Sequence, residues 1–319
     1  MQAGRWPTVA RAATVRSLET GKAAGLGVLQ SLRTVGRNFA AHPLTRDDQL
    51  GAWARFAAWH VRSRLGSEVV APWIEGQRLV VRPGMTGATG NLYYGLHEFM
   101  SMGLVLHFLR GGDLFLDAGA NVGTYTVLAS GVCRARTLAV EADSDTARDL
   151  ARNVEVNGLQ ELVTIEVLAL GPEDGEVMFT TGLGAMNQVV TERREGVRIV
   201  PQRTLDHVVG DGQPVLLKLD VEKYEDQVLQ GSIEVLKKPS LKVVALEATS
   251  DWSTKLFADL GFERAFYDPF TRILQREPNA LAFSDGKWTR SNEFFVRDWD
   301  FVAERVKTAK PVTVMGKTL

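Results

Sequence analysis

The sequence predicts an α/β fold built on a doubly wound, Rossmann-like and mostly parallel sheet. Three observations carry that expectation. Short apolar runs alternate with helix-length amphipathic segments beyond residue 110, the pattern of successive βαβ units. The runs are apolar almost throughout, as strands covered on both faces must be. Four of them end in an acid, namely Asp117, Glu141, Asp220 and Glu247, although burying a charge is costly. A row of carboxylates at strand ends points to a wet or liganded edge, and in open α/β sheets that edge lies outside the carboxyl ends of the strands. Helix N-capping is the competing explanation for any one of these acids.

The elements follow in order. Trp53, Phe56, Ala57, Trp59 and His60 recur at helical spacing, so residues 47–65 should form an amphipathic helix packed on the main domain. Residues 69–82 read as a short extended pair broken at Glu75-Gly76. The stretch from Arg82 to Asn91 holds three glycines and a proline, which predicts a loop rather than a regular element. Residues 95–109 read as a helix with Leu96, Phe99, Met100, Leu104 and Phe108 inward, stopped by Gly111-Gly112. Strands are expected at 114–116, 137–140, 163–170, 215–219 and 243–246, with helices over 122–130, 144–156, 225–237 and 252–260 between and after them. Asn157-Gly158 supplies a left-handed helix stop. Residues 262–267 and 271–274 flank Asp268-Pro269-Phe270 as a closing antiparallel hairpin. Four segments result: a basic helical N-terminal extension over 1–66, a lead-in segment covering the site over 67–110, the α/β domain over 111–290 and a C-terminal tail over 291–319.

Composition bounds the class. A chain of 319 residues allows one large domain or a domain with an appendage. Hydrophobic residues at 45% and charged residues at 24% exclude a mainly disordered chain, a collagen and a coiled coil. The lone Cys133 excludes an internal disulfide framework and a Cys-rich zinc module. No apolar run reaches the roughly 18 residues a membrane span needs, and no basic-then-apolar leader is visible, so a soluble, cytoplasmic protein is expected. The net charge of −1 hides an asymmetry: residues 1–66 carry ten basic and three acidic side chains, +7, and the remainder is −8. Such an arm suits an acidic membrane surface, nucleic acid, an acidic partner or the protein's own body. It also suits a solvated helical extension whose removal leaves the core intact. Its Arg-rich, acid-poor first 18 residues share features with an organelle transit peptide.

The first strand leads into Asp117-Ala118-Gly119-Ala120-Asn121-Val122-Gly123. A dinucleotide fingerprint needs G-x-G-x-x-G, but Asn121 and Thr124 stand at its second and third glycine positions. A P-loop fails too, because no Lys-Ser/Thr follows a glycine there. An acid followed by G-x-N-x-G resembles the first motif of class I S-adenosylmethionine-dependent methyltransferases. Residues 113–130 narrow this to a resemblance to the FkbM family of methyltransferases. Matching blocks are Arg152-Asn153-Val154-Glu155-Val156-Asn157-Gly158-Leu159, Thr204-Leu205-Asp206, Lys218-Leu219-Asp220-Val221-Glu222 and the lead-in Tyr94-Gly95-Leu96-His97-Glu98. The resemblance covers about residues 80–250. Two departures stand out: Lys223 replaces the Gly usual after that Glu, and Ala142 replaces the Pro usual after the second strand's Glu.

The resemblance implies S-adenosylmethionine as cofactor and methyl transfer to a hydroxyl, on a sugar or glycan or on a secondary metabolite. A zwitterionic, phosphate-free cofactor suits this turn. Gly119 allows close backbone approach, Gly123 lets the following helix start against the strand, and Asp117 can balance the cationic end. Glu141 is placed to accept the ribose hydroxyls, and Leu168-Ala169 to flank the adenine. The implied cofactor set also takes in Glu98, Ala120, Asn121, Thr124, Ala142 and Asp220. An alcohol is a weak nucleophile at neutral pH, so a general base or a metal is expected. The base candidates are Glu222, His97, whose ordinary pKa suits the role best, and Asp220. Asp220 with Glu222 offers oxygen ligands to a divalent ion, but two carboxylates two residues apart define no metal site. The competing readings are a cofactor-binding homologue that has lost catalysis, favoured by Lys223, and a Rossmann-type oxidoreductase, opposed by Asn121 and Thr124. Nucleic acid is not expected as a substrate, since no base-flipping Asn-Pro-Pro-Tyr motif is present.

Overall fold

The computed structural model describes residues 23–66, 68–182, 186–192, 195–277 and 292–319. The first 18 residues, on which the transit-peptide expectation rests, lie outside the described residues. The chain opens with α1 (Ala23–Ala41) and α2 (Gln49–Leu65), the second capped by the Asp48 side chain. An antiparallel pair follows, β1 (Val69–Pro72) and β2 (Arg78–Val81), joined through Glu75-Gly76 as expected. Next come α3 (Thr86–Tyr94) and α4 (Phe99–Phe108). Then β3 (Leu114–Ala118) leads into α5 (Thr124–Val127), which widens into a π-helical turn over Leu128–Val132. After these come β4 (Arg136–Val140), α6 (Ser144–Val156) and β5 (Val163–Glu166). A small separate sheet contains β6 (Ala169–Leu170), β7 (Gly175–Thr180), β8 (Val189–Val190) and β9 (Val197–Arg203). The main fold resumes with α7 (Leu205–Val209), β10 (Pro214–Leu219), α8 (Glu225–Gln230), α9 (Ile233–Lys237), β11 (Val243–Leu246) and α10 (Asp251–Asp259). It ends in β12 (Glu263–Asp268), β13 (Ile273–Gln275), β14 (Glu293–Val296), α11 (Trp299–Lys307) and a hairpin of β15 (Thr313–Val314) and β16 (Lys317–Thr318).

The central sheet runs β13-β12-β14-β11-β10-β3-β4-β5. The five strands from β11 to β5 are parallel, and β14, β12 and β13 are antiparallel. From β3 the chain winds outward through β4 to β5, then returns to add β10 and β11 on the other side. The switch point is therefore between β3 and β10, where a doubly wound sheet opens a crevice. Alternation along each strand feeds a core on both faces. Phe115, Leu216 and Val243 pack into one layer with α4 and α11, while Leu116, Leu217 and Val244 pack into the other with α7 to α10. Helix α4 is buried on every side, as a helix apolar all round must be.

Four expectations are corrected. The glycine-rich stretch after Arg82 is not a loop, since Thr86–Tyr94 is helix α3. Gly90 serves close packing there, because a Cβ on it would fall 2.1 Å from His97 Nδ1. The third apolar run divides, with Val163–Glu166 in the main sheet and Ala169–Leu170 in the small one. The segment assigned to a C-terminal tail supplies β14, which lies inside the sheet between β11 and β12. The N-terminal extension is not merely a solvated arm either. Phe39 is fully buried with its ring 5.3 Å from Trp53 and 5.4 Å from Tyr94, and buried His42 has Nε2 2.9 Å from the Leu96 carbonyl. Among the described residues no helix is long and apolar enough to cross a membrane.

Candidate active site

A cleft of about 510 Å³ opens along the carboxyl edge of the parallel strands, within the size range of small-molecule sites. Its lining follows the sheet order. Leu168 and Ala169 come from beyond β5, Glu141 and Ala142 from the end of β4, Gly119 to Asn121 from the turn after β3, Asp220 and Glu222 from beyond β10, and Glu247 from the end of β11. Four inter-strand spacings separate β5 from β11, about 19 Å at roughly 4.8 Å each, room for two ligands end to end. Helix α3, His97 and Glu98 cover one side, and Phe179 and Val189 of the small sheet, with Asn187 from the connection between them, cover another.

The turn after β3 is held by its backbone. Gly119 has φ +75, and a Cβ there would lie 1.8 Å from the Asp220 carbonyl oxygen, so only glycine lets β3 and β10 end this close together. The Gly119 and Ala120 N–H groups both donate to the Val140 carbonyl, at 3.0 and 2.9 Å. Asn121 adopts φ 51, and its N–H donates to Glu141 Oε2 at 2.9 Å. The other oxygen of Glu141 accepts the Asp143 N–H at 2.8 Å. Burial pushes the Glu141 carboxyl up to about 7, against these two hydrogen bonds, which hold it down. Its folded pKa thus exceeds its unfolded value, so its contribution to stability is complete below about pH 4.5 and is lost as pH rises through 7.

A buried charge cluster backs the β3–β10 crevice. Lys218 is 3% exposed, its Nζ lies 2.9 Å from Asp220 Oδ2, and it sits 4.9 Å above the Tyr125 ring centre. The Tyr125 hydroxyl donates to Glu98, which also accepts from Asn292 Nδ2 at 3.3 Å. Burial works against the charge on Lys218, yet Asp220, Asp117 and Glu98 raise its pKa above the ordinary lysine value. Burial likewise opposes ionisation of Asp220, but Lys218 holds it below the usual carboxylate range. Glu98 is raised by burial and then by Asp220.

Three carboxylates converge at the far end. Oxygens of Asp220, Glu222 and Glu247 lie within 4.8 Å of one another. Burial and then the Asp220 charge push Glu222 up to about 7, and the same two causes push Glu247 up to about 9. A group poised near 7 can take a proton at neutral pH, and a trio of carboxylate oxygens is the donor chemistry of a hard divalent cation. His97 lines the same cleft, but burial lowers it to about 4. It is therefore neutral and weakly basic at pH 7, contrary to the expectation that its pKa suits the base best.

Of the residues expected at the site, Glu98, Gly119, Ala120, Asn121, Thr124, Glu141, Ala142, Leu168, Ala169, His97, Asp220 and Glu222 all line the cleft. Asp117 and Gly123 do not. Asp117 is fully buried within the sheet, paired in register with Lys218, and its Oδ2 accepts from Thr126 Oγ1 at 2.6 Å. It acts on the cleft through Lys218 rather than by contact. Gly123 starts α5 at φ +84, where a Cβ would meet Leu150 of α6 at 2.2 Å. The sequence reading gave no role to Lys218, Tyr125 or Asn187, which also line the cleft. Lys218 had a visible signal, since a charge inside the apolar run Val215–Leu219 must be paired.

Residues 117–275 match the methyltransferase FkbM domain. The chain is 28% identical over 154 residues to a ribosomal protein L11 methyltransferase of Syntrophomonas wolfei, covering 44% of this chain and 48% of that protein. It is 26% identical over 151 residues to the hexuronic acid methyltransferase AglP of Haloferax volcanii, covering 46% and 62%. The chain thus spans about half the length of the curated relatives it matches. Among solved structures, an S-adenosylmethionine-dependent O-methyltransferase of Thermotoga maritima is similar at 17% identity and TM-score 0.35, covering 62% of this chain and 63% of that one.

Proposed function

This chain belongs to the FkbM family of methyltransferases, and from that premise we propose that it methylates a hydroxyl oxygen of a sugar, glycan or other small molecule using S-adenosylmethionine. The cleft suits that cofactor. Leu168, Ala169, Phe179 and Val189 offer an apolar slot for adenine. Each Glu141 oxygen keeps a lone pair for the ribose hydroxyls after accepting its backbone N–H. Glu98 and Asp220 give the β3–β10 end the acidity that a cationic amino-acid and sulfonium end requires. When bound, the cofactor supplies an electrophilic methyl group. The protein's work is to hold the acceptor oxygen in line with it and to take the hydroxyl proton on a Glu222 carboxylate oxygen.

The observation that carries this reading is the place of Glu222 in the cleft beyond β10, its carboxylate beside that of Asp220, where burial pushes it up to about 7. The hexuronic acid methyltransferase among the relatives supports a sugar acceptor. The test is a panel of uronic acids, neutral hexoses and phenols with labelled cofactor, read by mass spectrometry for methyl on oxygen. Transfer to nitrogen or to a ring carbon alone would overturn it. The convergence of Asp220, Glu222 and Glu247 favours one second reading, a divalent ion at the acceptor end, and activity lost to a chelator and restored by Mg²⁺ would establish it.

Two further results are expected. Glu141→Ala should weaken cofactor binding by about 1.5–3 kcal/mol, the scale of hydrogen bonds to a charged group; calorimetry on the folded variant with S-adenosylhomocysteine measures it, and unchanged affinity removes Glu141 from the site. Lys223 has φ 73 at the position where the family usually has Gly. A left-handed non-glycine residue costs about 1–2 kcal/mol, and glycine's extra chain entropy returns about 0.5–1. Lys223→Gly should therefore stabilise the fold by about 0.5–1 kcal/mol in urea melts. Because Lys223 does not line the cleft, turnover should survive the change, which an enzyme disabled by this departure would not show.

A further inference from the structure

We propose that the outer face of α2 docks the protein on an anionic lipid surface. Leu50, Ala54, Ala57, Val61 and Leu65, with Ala58 beside them, fall on one side of the helix at successive three- and four-residue steps, and all are exposed. Leu50 is 87%, Val61 58% and Leu65 83% exposed. The opposite side, with Ala52 and Trp59, is buried, so α2 uses one apolar face for the core and presents a second to solvent.

The charge around that face selects its occupant. At 100° per residue, Arg64 flanks the stripe on one side and Arg62 on the other, and α2 contains no acid. The two acids of the adjoining loop are engaged: Asp48 with Arg55 at 3.2 Å, and Asp47 with Lys317 at 2.7 Å. Arg33, Arg37, Arg62 and Arg64 have no carboxylate partner among the described residues. An apolar stripe edged by arginines is the pattern of a helix lying in a membrane interface. A second copy is disfavoured, because a two-fold contact through this face would set arginines against arginines. Beside the stripe, Ala58, Arg62, Arg55 and Trp59 form one wall of a separate cleft of about 370 Å³, whose other walls include Trp73 and Asn91. Asn91 of α3 lines both this cleft and the active-site cleft. Helix α2 packs on α3, so docking would place α2 between the lipid surface and the α3 wall of the catalytic cleft.

Co-sedimentation of the full chain with phosphatidylcholine vesicles, with and without phosphatidylglycerol, tests this. Binding is expected only to the anionic vesicles and should fall with salt. A juxtamembrane arginine contributes about fivefold in affinity, so Arg62→Ala with Arg64→Ala should weaken binding roughly 25-fold. Val61→Asp with Leu65→Asp should abolish it. Both pairs should keep wild-type thermal melting and S-adenosylhomocysteine affinity, which separates failure of docking from failure of the methyltransferase reading. Absent sedimentation with anionic vesicles, or wild-type binding by the arginine pair, overturns the proposal. So does a dimer in ultracentrifugation that Val61→Asp dissociates, which would assign the face to a second copy.

Discussion

Glu222→Gln is expected to lower turnover by about 10²–10⁴-fold, the usual worth of a general base, while leaving cofactor affinity near the wild-type value. The substitution keeps the shape of the side chain and removes only its capacity to take a proton. Glu222 already sits at φ 52, and glutamine bears the same backbone strain, so the comparison isolates the chemistry. The pH profile carries the second half of the expectation. Burial and Asp220 raise the carboxyl to about 7, and only its deprotonated form can accept the hydroxyl proton. Wild-type kcat/KM should therefore climb about tenfold per pH unit below 7 and level off above it, and the Gln variant should lose that limb. The other two candidates should not replace it. Asp220 is held ionised by Lys218 and is the weaker base, and His97 is depressed to about 4. Near-native turnover in Glu222→Gln, or an unchanged acid limb, would remove Glu222 as the base. Loss of cofactor affinity in parallel would make it part of the cofactor's surroundings instead.

Local patterning made most of the parallel sheet legible and failed where pairing is long-range. The runs at β3, β4, β10 and β11 announced themselves by length, apolarity and terminal acids. Strand β14 did not, because Glu293–Val296 is a four-residue run whose partners are β11 and β12, and it owes its strand state to insertion between them. Helix α3 was hidden by composition: Gly87 and Gly90 read as breakers, whereas Gly90 is there to admit the His97 ring. At the site, Glu141, Asp220 and Glu247, picked out by the strand-end rule, line the cleft. It misplaced Asp117, which lies one residue inside the end of β3 and faces Lys218 and Thr126. The wall contributed by Asn187 was illegible, since it comes from the connection between β7 and β8 of the small sheet, whose strands β6 and β8 are two residues each. The stripe on α2 was half legible: its aromatic core side was read, but with Ala57 wrongly included, since Ala57 is exposed on the solvent side with Leu50, Val61 and Leu65.

Lys218→Met should destabilise the protein by about 3–5 kcal/mol, the cost of removing one partner from a buried ion pair. Methionine fills much of the lysine's volume, so the loss is electrostatic rather than a cavity. Without the ammonium, Asp220 keeps its burial and loses its ion pair at 2.9 Å, and Asp117 loses the positive charge that opposes its desolvation. Glu98 loses the same support. These carboxyls would answer by holding their protons, which fixes the sign of the pH dependence. Once the acids are protonated in both folded and unfolded states, below about pH 4, no counter-charge is needed and the penalty shrinks. As pH rises the unfolded chain ionises its acids freely while the folded variant cannot, so the deficit grows toward pH 8. Urea denaturation of wild type and variant at pH 5 and pH 8 measures both the size and the direction. Adding Asp220→Asn should recover part of the loss, since it removes one of the stranded charges, and the resulting cycle should show a coupling of about 0.5–3 kcal/mol. A deficit below about 1 kcal/mol at pH 8, the scale of an exposed pair, would mean that water reaches the cluster, and the crevice between β3 and β10 would then be too wet to hold Asp220 as the weaker base beside Glu222.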